Sequence, residues 1–192
     1  MARWLPDAPG RLAVAALELF AERGYEDTTV IEIAERAGLT KSTFFRHFPD
    51  KREVLFGGTA MAGLLAGGVL AAPAGATPLE AVAHALDTVG AEVFTPERRE
   101  FGARRRAVIA ANPELKEREA LKGLGLVAAV IDALERRGVP ELTARVAAEL
   151  GGVALAIAYD HWTEATEGTE ATGFGEIARR TLEQVRAATA QC

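Results

Sequence analysis

Apolar side chains recur along this chain at spacings of three and four, the period of helices that bury one face. No segment alternates apolar and polar residues as a strand would. Leu12, Ala13, Ala16, Leu17 and Phe20 share a face after Pro9-Gly10, and Gly24 can close the helix in left-handed backbone. Thr28-Thr29 precedes a second short helix carrying Val30, Ile33, Ala34 and Ala37, with a hydroxyl at its N-cap. Gly38-Leu39 turns the chain. Thr40 caps a third short helix, Lys41 to Phe48, whose apolar positions are Phe44 and Phe48. Pro49 ends it. Asp50 followed by Glu53 has the spacing of a capping box and predicts a fourth helix from Asp50, fading near Gly67-Gly68 or running to Ala72.

The remainder reads as longer helices parted by Pro and Gly. Leu79, Val82, Ala83, Leu86, Val89 and Val93 stripe a fifth, and Thr95-Pro96-Glu97 starts a sixth. Asn112-Pro113-Glu114 starts a seventh whose apolar residues from Ala120 to Leu134 surround it on nearly every side, which predicts central burial. Val139-Pro140-Glu141 opens an eighth reaching about Thr166. Residues 167–175 read as loop, and Phe174, Ile177, Thr181, Val185 and Ala188 stripe the last helix. The expected fold is therefore all-α, about nine helices. A small three-helix domain over 1–53 precedes a helical bundle over 54–192.

Composition supports this picture. Of 192 residues, 49% are apolar and only 6% aromatic, which suits closely packed helices better than a sheet. The single cysteine, Cys192, excludes an internal disulfide and a cysteine-rich metal site. Three scattered histidines and no paired carboxylates give no catalytic or metal constellation, so no enzyme activity and no cofactor are expected. Residues 54–79 carry no charge and are long enough to span a bilayer, but Gly, Ala, Thr, Pro73 and Pro78 make their apolar drive weak. The N-terminal residues lack the apolar core of a signal peptide. A cytoplasmic chain with no membrane partner is expected.

Net charge is −5, so no broad basic footprint for nucleic acid exists. Locally the balance reverses. Between Gly38 and Arg52, Lys41, Arg46, Lys51 and Arg52 face Asp50 alone. Two short helices around a Gly38 turn form a helix-turn-helix pattern, whose second helix enters the major groove of DNA. Lys41, Ser42, Thr43, Arg46 and His47 are the residue types that meet phosphates and base edges.

The spaced residues Ile33-Ala34, Ala37-Gly38-Leu39-Thr40, Thr43 to Phe48 and Lys51, with Leu17, Phe20, Gly24-Tyr25 and Thr28-Thr29 before them, resemble the DNA-binding signature of the tetracycline-repressor family of bacterial regulators. The resemblance covers about residues 10–56. It implies a homodimer with an N-terminal helix-turn-helix, a variable ligand-binding bundle and an interface made by the last two helices. By position it implies phosphate contacts from Thr43, His47 and Lys51 and base-facing Lys41, Ser42 and Arg46. It also implies a backbone-meeting helix cap at Thr29. Phe45 departs from the pattern: the family has tyrosine there, whose hydroxyl bonds phosphate. A phenylalanine can lie only against sugar or a thymine methyl.

In the bundle, Met61, Leu64, Phe101, Arg105, Tyr159, His161 and Trp162 are candidates for contact with a small, largely apolar effector. Arg105 falls on the apolar stripe of its helix and needs a partner. An internal acid such as Asp160 is one answer, an anionic ligand the other. Tyr159 to Trp162 would line a pocket, cap the core or meet a partner chain. His84 reads as solvated. Val153, Ile157, Phe174, Ile177 and Val185 are candidates for the dimer interface. The fourth helix would carry ligand-driven movement through Phe48 and Leu55.

Overall fold

A computed structural model describes residues 7–57, 60–165 and 173–189. Cys192 and the expected loop up to residue 172 lie outside them, as does the expected helix end at Thr166. Among the described residues there are nine α-helices and no strand. They are α1 (Ala8–Arg23), α2 (Val30–Arg36), α3 (Lys41–His47), α4 (Ala60–Ala71) and α5 (Pro78–Glu92), followed by α6 (Arg99–Ala111), α7 (Pro113–Arg136), α8 (Glu141–Glu164) and α9 (Phe174–Thr189). This is the expected all-α class.

The chain folds into two compact units, and they are not two consecutive stretches. The first joins the residues up to 57 with Glu100–Lys122; the second joins 60–Arg99 with Gly123 onward. The core of the first unit is Leu12, Leu17, Phe20, Ile33, Phe44, Phe48 and Val54, completed by Ile109 and Leu115 from α6 and α7. The three N-terminal helices thus close their core with residues some 60 positions further along. The second core centres on α5, with Val82, Leu86 and Val89 packed among Leu65, Val69, Leu134, Ala144, Trp162 and Phe174.

Small residues set the spacing in the second unit. A Cβ on Gly68 would come within 2.6 Å of the Ala85 Cα, and one on Gly151 within 2.5 Å of a Val82 methyl. The Arg137 guanidinium closes the C-terminal end of α4. Its nitrogens donate to the carbonyls of Val69, Ala72 and Pro73 at 3.2, 2.8 and 2.7 Å, groups that a helix end otherwise leaves bare.

Three expectations fail here. The fourth helix does not open at Asp50. Asp50 Oδ1 accepts from the backbone N–H of Arg52 and Glu53 at 2.8 and 3.1 Å, but the turn it caps is a 3-10 helix, Arg52–Leu55. Gly57 then sits at φ +64, where a helix cannot continue. α7 is not central: Leu121 and Leu124 are 51% and 65% exposed. An all-round apolar helix here covers one side of a core and leaves the other open. His84 is not simply solvated, because its Nδ1 lies 2.9 Å from the Gly68 carbonyl oxygen.

Candidate nucleic-acid interface

The geometry begins with the caps. Thr29 takes extended backbone, and its hydroxyl oxygen accepts from the Glu32 N–H at 3.2 Å. The Glu32 carboxylate returns the favour, accepting from the Thr29 N–H at 2.9 Å. The backbone N–H and the hydroxyl of Thr29, helped by Arg23, hold the Glu32 carboxyl below its ordinary value. Thr40 caps α3 in the same way, accepting from the Thr43 N–H at 3.1 Å. Both short helices thus start where three-residue spacings in the sequence predict.

The turn between them is fixed by Gly38 at φ +65 and by Arg11. The Arg11 guanidinium donates to the carbonyl of Ala37 and, at 3.5 Å, to that of Gly38. Its partners lie 26 and 27 residues away, so no local pattern announces it. From beneath, the fully buried Phe44 and the nearly buried Phe48 hold α3, with ring centroids 5.6 Å apart.

The opposite side of α3 faces water. Lys41, Ser42, Phe45, Arg46 and His47 are exposed and Thr43 is half-buried. Among the described residues no acid forms an ion pair with Lys41 or Arg46. Elsewhere in the unit Arg36 meets Glu22 at 2.9 Å, and Arg23 meets Glu32 at 2.8 Å.

Lys51 does not join this face. Its ammonium donates to the carbonyls of Tyr25 and Thr28 at 2.7 and 3.0 Å, and lies 4.1 Å from the centre of the Tyr25 ring. A lysine has three donors. In this arrangement the ammonium is held by the loop before α2. Burial pushes the Tyr25 hydroxyl upward.

The turn after α3 carries a charge cluster that sequence reasoning missed. Glu53 is 4% exposed. Its carboxylate pairs with Arg118 and, at 2.9 Å, with Lys122, one turn apart on α7. Arg52 reaches Glu114, one turn before Arg118, at 3.6 Å. Arg105 also has partners within this unit. Its Nε donates to the Leu55 carbonyl at 2.7 Å, a terminal nitrogen meets Glu119 at 3.1 Å, and the guanidinium lies 5.0 Å from the Phe56 ring centre. Glu119 supplies an acid for it.

The candidates for effector contact are drawn from both units. Phe101 packs against the first core, and Arg105 serves that unit as well. Met61, Leu64 and Tyr159 pack against the second core. Trp162 is 1% exposed and stacks in a cluster with Phe94, Tyr159 and Phe174, whereas His161 is exposed. An open groove of about 400 Å³ is lined instead by Pro73, Ala76, Glu80, Ala83, His84 and Asp87.

The candidates for the dimer face divide too. Val153 and Ile157 are 47% and 37% exposed, but Phe174 and Ile177 are buried in the core of their own chain, and Val185 is half-buried. The outward side of α8 continues through Leu142 and Val146.

Comparison with known proteins agrees with this geometry. Residues 12–56 match the profile of bacterial regulatory proteins of the tetR family. Among curated relatives, the transcriptional regulator TcmR of Streptomyces glaucescens is 44% identical over 75 residues, 38% of this chain and 33% of its own. The transcriptional activator FasR of Mycolicibacterium smegmatis is 44% identical over 45 residues, 23% of this chain and 20% of its own. The chain therefore spans a third or less of the length of these relatives. In fold it is similar to NalD of Pseudomonas aeruginosa, a secondary repressor of the MexAB-OprM multidrug efflux pump. That alignment has a TM-score of 0.57 and 19% identity, and covers 93% of this chain and 94% of that one.

Proposed function

We propose that this chain, which belongs to the tetR family of bacterial regulatory proteins, is a cytoplasmic transcriptional regulator that acts as a homodimer and is not an enzyme. It binds a pseudo-palindromic operator and is released by a small, largely apolar effector. Repression by occupancy is the mode this reading favours. The observation that carries it is α3 itself: a capped helix, clamped from behind by Phe44 and Phe48, with Lys41 and Arg46 turned outward and in no ion pair among the described residues. Two outward cations on a helix positioned in this way attract a negative partner. Arg46 suits bidentate bonding to guanine, with Lys41 and Ser42 beside it; Thr43, His47 and Thr29 meet the backbone.

Two copies would present their α3 helices about one DNA turn, ~34–36 Å, apart. We assign the dimer face to the outward side of α8, where Leu142, Val146, Val153 and Ile157 follow one another at spacings of four, seven and four. α8 is the one described helix long and apolar enough to cross a membrane, and only a third of that window is buried in its own chain. Arg145 and Glu149 lie within it and favour a protein partner over lipid. An effector would act by preferring one spacing of the two heads, with a coupling of about 1–3 kcal/mol. In this reading 1–53 reads DNA and 54–192 binds the effector and dimerises, although Glu100–Lys122 of the latter packs into the first unit.

The test is selection of duplexes from a random pool by the purified chain, followed by affinity at fixed salt. Arg46→Ala is expected to cost about 1–3 kcal/mol on the selected duplex and to relax its base preference. Arg136→Ala, whose acid is Asp132 on its own helix, is expected to leave both unchanged. Sedimentation should give a dimer for the native chain and a folded monomer for Val153→Asp. Equal affinity for every duplex, or a monomeric native chain, would refute the reading.

A further inference from the structure

We propose that Phe45 reads the 5-methyl group of a thymine at one fixed position in each half of the DNA site. The inference rests on the reading of α3 as the helix that enters the groove.

Phe45 is 47% exposed, the one large apolar side chain that α3 turns to water. Its ring is nevertheless held. The buried Phe44 ring meets it edge to face, with centroids 5.5 Å apart and planes at 76°. One turn earlier on the same helix, the Lys41 ammonium lies 5.9 Å from its centroid. Such contacts favour defined ring orientations. The aromatic surface is therefore presented in a set direction, beside the cation of Lys41.

A phenyl ring has no donor and no acceptor for a phosphate oxygen or a base edge. What it can gain on binding is the removal of apolar surface from water, and that requires an apolar counterpart. In the major groove the group of that kind that differs between base pairs is the thymine 5-methyl. Deoxyribose also offers carbon surface, but it is the same at every position. The two counterparts are therefore separable by experiment. If Phe45 meets thymine, a residue that cannot anchor to phosphate contributes sequence preference instead of general affinity.

The experiment uses the intact chain and the duplex it selects, with each thymine and its symmetry mate replaced in turn by deoxyuridine, which removes the methyl group alone. Native protein should lose about fourfold in affinity per methyl at one position in each half-site, the worth of one methylene-sized group buried. Phe45→Ala should bind the thymine duplex more weakly, lose nothing further with uracil at that position, and keep the native dependence on salt, since no phosphate contact is removed. Phe45→Leu should retain sensitivity to uracil. Thermal melting of each variant checks that the half-exposed site has not unfolded. The proposal is overturned if every uracil duplex binds native protein as the thymine duplex does, or if Phe45→Ala keeps the native uracil sensitivity. Retained preference among duplexes with no uracil effect removes this inference alone, whereas no preference at all removes the DNA-reading premise with it.

Discussion

The reading helix and the turn that follows it are both rich in charge, and they use it in opposite ways. On α3, Lys41 and Arg46 point to water with no acid in ion-pair reach among the described residues. A few residues on, Lys51 is bound by the carbonyls of Tyr25 and Thr28, and Glu53 is buried against Arg118 and Lys122. The first set is available to a partner. The second set holds the reading helix at a fixed place on its support. What separates reader from scaffold is where each charge finds its counter-group, not residue type.

Breaking that contrast should show first in stability. Glu53→Ala leaves two cations facing a vacated site, and both reach water. We expect a loss of about 3 kcal/mol in chemical denaturation, the lower end of the cost of breaking a buried pair. Lys51→Met should cost about 1.5 kcal/mol, the low end for hydrogen bonds to a charged donor. Its salt dependence of DNA binding should stay native. Lys41→Ala is the mirror image: melting unchanged, affinity lower, and the salt slope reduced by about one if its ammonium meets a phosphate. If Lys51→Met instead flattened the salt slope and left melting alone, its assignment to the scaffold would be wrong.

The smallest effect concerns pH. The Glu32 and Glu80 carboxylates close capping boxes on α2 and α5, and bonds from Thr29 and Thr77 hold both below 4.5. A carboxyl depressed in the folded state stabilises above its unfolded value, and that contribution is lost as pH falls through the folded value. Thr29→Ala removes the hydroxyl but leaves the backbone N–H bonded to Glu32. It should therefore make melting slightly less sensitive to pH below 4.5 while leaving the neutral-pH fold intact.

These contrasts also mark what the sequence could reveal. Thr29, Thr40, Gly38 and the Phe44–Phe48 pair were legible because each acts within four residues of its partner, and such spacings are written directly in the chain. The carbonyl partners of Lys51 were not legible because they lie 23 and 26 residues back. Glu53 followed Asp50 at a capping distance, yet its side chain turned to residues more than 60 positions away. Arg105 was rightly expected to need an acid, but periodicity cannot say which helix supplies one. α7 misled for a related reason: apolar residues on all sides indicate a wish for burial, not the number of neighbours on hand. Phe174 and Ile177 carried the periodicity of an interface and serve the chain's own interior. The match to known regulators over 12–56 takes in Thr29, Gly38, Thr40 and the Phe44–Phe48 pair.

The close approach at Gly68 and Gly151 has a consequence for how anything could enter the second unit. A backbone or a methyl pressed against each glycine leaves no interstitial space there to fill. A guest seated along that seam would have to wedge α5 away from α4 or α8 before making its own contacts. Admission and rearrangement would then be one event, and affinity would measure how readily the seam parts as much as how well the guest fits.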